Sequence, residues 1–199
     1  MAKLMNWHNF DAKLKEKKIL LFSSLDIMRI FGVSKTAATF LIHRYAKKGF
    51  ILRVKRGLYC FPDSIPPELY IANKLYEPSY ISLEFALSYH RVIPETVYEI
   101  TSVTTKSTRR FESQGKLYTY KRIKRDAFTG YFSKRQAGYN YLIATPEKAF
   151  VDYQYLRARL NKEPLRRFNK EKIDRNKAIQ YAKLFGSDKL IRIVKTSLS

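Results

Sequence analysis

Ser23-Ser24-Leu25-Asp26-Ile27-Met28-Arg29-Ile30-Phe31-Gly32-Val33-Ser34 reads as a short amphipathic helix, a glycine turn, and a serine placed to cap a second helix. That second helix runs from Lys35 to Lys48 and stops at Gly49, which suits the left-handed residue just past a helix end. Ile51-Leu52-Arg53-Val54-Lys55-Arg56-Gly57-Leu58-Tyr59-Cys60-Phe61 then gives two β-type runs joined by Lys55-Arg56-Gly57. Helix, tight turn, helix and basic hairpin, in that order, make a winged helix-turn-helix. Such a module lays its second helix in a DNA major groove.

The faces of that second helix follow from its period. Ala38, Leu41, Ile42 and Tyr45 recur at i, i+3, i+4 and i+7 and form the core stripe. Lys35, Thr36, Thr39 and His43 lie opposite, with Lys47 at the edge. Short hydroxyl and methyl groups suit thymine methyls or phosphates, and lysine suits guanine or phosphate. His43 equally fits an exposed histidine without a role. The wing cations Arg53, Lys55 and Arg56 suit the DNA backbone or a narrow minor groove. The expected DNA-binding set is therefore Ser34, Lys35, Thr36, Thr39, His43, Lys47, Arg53, Lys55 and Arg56. No acidic residue occurs between Asp26 and Asp63, a stretch in which carboxylates would repel phosphates. Ahead of this module, Phe10 to Lys18 is expected to be a helix with Phe10 and Leu14 buried.

The composition agrees. Thirty-nine Lys and Arg against 17 Asp and Glu give a formal charge of +22, which points to a polyanionic partner. A membrane surface is the weaker candidate, because no segment pairs a long apolar face with a basic one. The longest apolar run near the N-terminus, Ile19-Leu20-Leu21-Phe22, is too short for a signal segment or a span. A single cysteine rules out an internal disulfide and suits a cytoplasmic setting. Cys60 itself reads as packing. Residues 1–62 carry 13 Lys and Arg against 3 Asp and Glu, whereas residues 63–199 carry 26 against 14.

Three prolines between Pro62 and Pro67 mark a boundary. The expected organisation is a winged helix-turn-helix domain over 1–62, a proline-rich linker over 63–67 and a mixed α/β domain over 68–199, an α+β chain overall. In the second domain, helices are expected near 67–76 and over 83–90, the latter capped by Ser82. Strands are expected at 97–104, 111–113, 117–123, 128–132 and 139–144, with a hairpin loop at Gln114-Gly115-Lys116. Thr145-Pro146 opens a helix to about Leu160, and helices over 176–185 and 188–197 complete the chain. The basic runs 105–110, 121–125 and 165–170 either extend a DNA footprint or form a solvated surface.

No catalytic constellation is present. His8, His43 and His90 lie far apart, and no cysteine or carboxylate partners them at metal-ligand spacing. There is no phosphate-binding glycine loop and no serine elbow. A metal-dependent nuclease needs clustered acids beside a lysine, and the run from Glu99 to Lys106 has the lysine but no acid beside it. The expectation is a non-enzyme without catalytic residues, metal or cofactor.

Four further blocks carry a resemblance. They are Tyr76-Glu77-Pro78-Ser79-Tyr80-Ile81-Ser82-Leu83-Glu84-Phe85-Ala86-Leu87-Ser88-Tyr89-His90, then Ile93-Pro94-Glu95, then Ile100-Thr101-Ser102-Val103-Thr104-Thr105-Lys106, then Ala144-Thr145-Pro146-Glu147-Lys148-Ala149-Phe150-Val151-Asp152. With the wing end Arg56-Gly57-Leu58-Tyr59, they resemble AbiEi-type antitoxins of abortive-infection systems. The resemblance implies a type IV antitoxin whose winged helix represses its own operon. It also implies a second domain that counters a nucleotidyltransferase-like toxin without a stable complex. The residues themselves support the DNA-binding half, with double-stranded DNA of the protein's own promoter as partner and no membrane. The alternative is a winged-helix transcription factor outside any toxin system, whose second domain senses a ligand or partner. Physically the family blocks read as fold-makers, with Phe85, Leu87, Ala149, Phe150 and Val151 as core.

Overall fold

The computed structural model describes residues 6–199; residues 1–5, where the first expected domain begins, lie outside it. The chain divides into two compact units, one ending at Pro66 and the other running from Pro67 to Ser199. The fold is α+β: a winged helix-turn-helix followed by a mixed α/β unit.

The first unit holds α1 (Trp7–Glu16), α2 (Ser24–Phe31), α3 (Lys35–Lys47), β1 (Leu52–Lys55) and β2 (Leu58–Cys60). Each helix start has a local cause. The Asn6 side chain accepts from the His8 amide, and the Ser34 hydroxyl accepts from Ala37 N–H at 3.2 Å. At α2, Ser23 and Asp26 form a reciprocal box: Ser23 N–H donates to Asp26 Oδ2 at 2.8 Å while Asp26 N–H reaches the Ser23 hydroxyl. Gly32, at φ 65°, ends α2 in the left-handed region and turns the chain into α3.

The core of this unit is aromatic. Phe10 stacks on Phe31 with centroids 5.5 Å apart and meets Tyr45 at 4.9 Å and Phe22 at 5.8 Å. Trp7 adds Tyr45 at 5.0 Å and Phe50 at 4.6 Å. Ala38, Leu41, Ile42 and Tyr45 are all buried, as their spacing predicts. Phe22, which sequence reading treats only as part of an apolar run, bridges Tyr59 antiparallel to the wing. Two backbone hydrogen bonds of 3.0 and 2.9 Å tie the hairpin to the segment between α1 and α2. Lys15 Nζ pairs with Asp63 at 2.7 Å and Asp11 at 3.0 Å, which fastens the segment after β2 to α1. The hydrogen bond from Lys15 holds the Asp63 carboxyl below its ordinary value.

The second unit contains α4 (Glu68–Leu75), β3 (Ser79–Ile81), α5 (Leu83–Tyr89), β4 (Ile100–Thr104), β5 (Arg109–Ser113), β6 (Lys116–Arg122), β7 (Tyr131–Gln136), β8 (Tyr139–Ala144), α6 (Pro146–Arg159), α7 (Arg175–Lys183) and α8 (Asp188–Ser197). Its six strands lie in the order β5-β6-β4-β3-β8-β7. Hairpins β5/β6 and β7/β8 flank parallel pairings of β4 with β6 and of β3 with β8. α4 packs on β3, β4 and β8, while α6 packs on α5, α7 and α8.

Several expectations shift. The strand expected at 97–104 begins at Ile100, where the ladder to Tyr118 starts; Tyr98 is 78% exposed and pairs with nothing in the sheet. The strand expected at 128–132 starts later, at Tyr131 as β7, because Phe128 lies in a turn, its N–H donating to Arg125 O at 3.0 Å. β7 is an almost wholly exposed edge strand, so Ser133-Lys134-Arg135-Gln136 shows no alternation to read. β3, three buried residues between two helices, gives no periodic signal either. Ser82 does stand before α5, but its side chain makes no cap bond; the hydroxyl donates to Asp152 Oδ2 at 2.8 Å. By contrast Thr145 caps α6 by accepting from Lys148 N–H, and Ser187 caps α8.

Asp152 is the centre of a buried polar knot. It ion-pairs with Lys148 one turn earlier and also accepts from Tyr80 Oη at 3.0 Å; both charged side chains are 0% exposed. Lys148 Nζ stands 4.8 Å from the Phe185 ring centroid. Burial pulls the lysine amine down and pushes the aspartate carboxyl up, each against the attraction of its partner. The knot fixes α6 to β3 and to the start of α5.

Candidate nucleic-acid interface

α3 presents the expected face. Ser34, Lys35, Thr36, Thr39, His43 and Lys47 are all exposed, on the side away from the buried stripe. Their chemistry is not uniform. The Ser34 oxygen is engaged as the helix cap, which leaves its hydroxyl hydrogen to donate. Thr39 Oγ1 donates to Lys35 O at 2.9 Å, so its methyl group and its acceptor lone pairs remain for an outside partner. The first turn of α3 has no acidic residue, so its amide dipoles and Lys35 act with one sign.

The wing is a two-stranded antiparallel hairpin with Arg53 opposite Tyr59 and an irregularity between Arg53 and Lys55. Val54 is buried, whereas Arg53 and Arg56 are exposed. Lys55 is half-buried and engaged within the protein, so it is the least open of the three wing cations. Gly57, at φ 83°, makes the turn; a side chain there would meet nothing within 4 Å, so its demand is conformational. The nine expected residues thus divide between one helix face and one hairpin of the same unit.

Sequence reading passes over one member of the helix face. Phe40 is 64% exposed, and Thr36, Phe40, His43 and Lys47 follow one another at i, i+4, i+7 and i+11. Sorting the face by polarity hides it; the helical angle alone would have found it.

The electrostatics are one-sided. Asp26, the only carboxylate between residues 17 and 62, is held by Ser23 N–H at 2.8 Å and by the Ser23 hydroxyl at 2.6 Å. Arg44 lies over the Tyr45 ring at 4.9 Å and donates to its hydroxyl at 3.0 Å, so it braces the core side of α3. Cys60 is buried, and burial pushes its thiol up to about 11.

The basic runs of the second unit are partly structural. Lys106 donates to Glu77 O at 2.5 Å and Lys124 to Phe185 O at 2.6 Å. Arg109 and Arg110 are exposed on the edge strand β5, and Arg122, Arg125 and Arg159 border a hollow of about 600 Å³. Among the described residues no three His, Cys, Asp or Glu gather so as to hold a metal ion, and no helix is long and apolar enough to cross a membrane.

Residues 16–62 match the family of transcriptional regulators described as AbiEi antitoxins. The matched span opens at the last residue of α1 and closes just after β2, so it encloses the helix-turn-helix and the wing. No curated protein matches the chain significantly.

Proposed function

We propose that this chain, whose residues 16–62 match the AbiEi antitoxin family of transcriptional regulators, is a cytoplasmic, sequence-specific DNA-binding repressor of its own operon. In this reading it is also the antitoxin of a type IV pair. α3 lies in the major groove, with Ser34, Lys35, Thr36, Thr39, His43 and Lys47 towards bases and phosphates. Arg53, Lys55 and Arg56 reach the backbone or minor groove from the wing. One observation carries the reading: an exposed polar and basic helix face beside an exposed basic hairpin, in a stretch with no carboxylate between Asp26 and Asp63.

Gel shifts with the duplex upstream of the gene and a scrambled duplex, each at two salt concentrations, test the DNA half. The upstream duplex is expected to bind preferentially, with affinity falling steeply as salt rises, because each neutralised phosphate releases condensed counterions. Equal, salt-insensitive binding to both duplexes would sink it. The antitoxic half assigns the second unit to countering a nucleotidyltransferase-like toxin in phage defence, without a stable complex. Co-expression with an adjacently encoded nucleotidyltransferase, scored by growth and by co-purification, tests it; rescue without co-purification is the expected result.

A second reading has an observation of its own. The family match stops at residue 62, before the second unit begins. A winged-helix regulator outside any toxin system, sensing a ligand or partner through that unit, fits the same boundary. The absence of an adjacent toxin gene would decide for it.

A further inference from the structure

We infer that Phe40 reads the 5-methyl group of a thymine in the major groove, and so sets part of the sequence preference of the DNA-binding reading on which this rests. Among the described residues of the first unit Phe40 is the most exposed large apolar side chain at 64%, ahead of Leu25 at 53%, Ile65 at 46% and Phe50 at 38%. Phe50 leans on Trp7, with centroids 4.6 Å apart. Phe40 is in no aromatic cluster of the unit, and the cation one turn along, Arg44, is turned to Tyr45. An aromatic ring therefore stands at the middle of an otherwise polar stripe, between Thr36 one turn before and His43 and Lys47 after it.

A lone exposed aromatic residue needs no explanation in general. This one has surroundings that select an occupant. The same helix carries Lys35, Arg44 and Lys47, is followed by Lys48, and has no carboxylate. A second copy of α3 laid against it would meet like charge, and a basic partner would be repelled likewise. A duplex brings phosphates for the cations and, on the major-groove floor, one kind of apolar group: the thymine methyl, which aromatic and aliphatic side chains contact. Phe40 is the sixth residue of α3, still within the two turns that reach base edges. Thr39, its neighbour, also offers a methyl group because its hydroxyl hydrogen bonds back to Lys35 O.

The experiment uses the full chain. Its preferred duplex is recovered from a randomised pool, and each thymine is then replaced singly by deoxyuridine, which removes only the methyl. Wild-type protein is expected to lose about fourfold in affinity at one thymine per bound protomer, the worth of one buried methyl. Phe40→Ala is expected to fold normally, to bind the parent duplex more weakly, and to be indifferent to that same replacement. Silence of every deoxyuridine duplex with wild type overturns the inference, as does an undiminished penalty in Phe40→Ala. A changed oligomeric state of Phe40→Ala off DNA overturns it too, by assigning the face to self-contact. Failure to recover any preferred duplex overturns the DNA-binding reading itself, which separates the two failures.

Discussion

Cys60 closes β2 with its thiol sealed in the core and pushed up to about 11 from 9.0 by burial alone. At pH 8 only about one thiol in a thousand is then ionised, and the thiolate is the reactive form. An aromatic disulfide reagent is therefore expected to find no thiol in the native protein and one after unfolding in urea. A raised folded-state value also means that the stability Cys60 contributes is full below 9.0 and is lost as pH rises towards about 11. Rapid labelling of the native protein would mean that the wing opens on its own. The Lys148–Asp152 pair makes a second residue-scale prediction. Lys148→Met leaves the Asp152 charge buried and unpaired, and is expected to cost about 3–5 kcal/mol in urea unfolding. Adding Asp152→Asn should restore part of that loss; a loss in the double variant equal to the sum of the two single losses would show that the two residues are uncoupled. Local chemistry was legible here and distant chemistry was not. Ser34 and Thr145 cap because a cap needs only three residues of context. Lys148 and Asp152 look like a surface pair one helical turn apart, and nothing in their neighbourhood announces Tyr80 and Ser82 some 70 residues earlier in the chain.

At the level of elements, the proposed reading gives α3 and the wing separable contributions to DNA binding. Arg56→Ala should weaken binding to all duplexes and shallow the slope of log affinity against log salt by about 0.9 for one lost phosphate contact. Thr36→Ala should instead change which sequence is preferred. An Arg56→Ala protein with unchanged affinity and slope would mean that the wing does not touch DNA. Gly57→Ala has space for its methyl group but not the backbone freedom, and should lower the stability of the first unit by about 1 kcal/mol in thermal unfolding. Elements with strong periods and chemical ends, such as α3, α6 and α8, were readable in advance. Those defined by their neighbours were not. β3 exists because β4 and β8 hold it on either side, and β7 because β8 supplies its ladder while solvent takes its other face.

For the whole molecule, the sheet of the second unit has long reach while the first unit is local. β3 meets β8 through Ile81 and Ile143, so its parallel neighbour comes more than 60 residues later. The helices and hairpin of the first unit lie in immediate succession before Pro66. A fragment of residues 1–66 is therefore expected to give a cooperative melt and to shift DNA more weakly than the full chain, whereas truncation at Arg135, before β8, should leave residues 67–135 without native circular dichroism. Retained native structure in that truncated protein would show that the sheet does not need β8.

That span has a meaning in time. At ribosomal rates of about 5–20 residues per second, the helix-turn-helix emerges whole some seconds before Ile143 exists to receive Ile81. During that interval the nascent polypeptide carries a finished polar and basic helix ahead of an unfinished sheet. On the proposed DNA-binding reading, a half-made protein would thus already carry the surface that meets duplex.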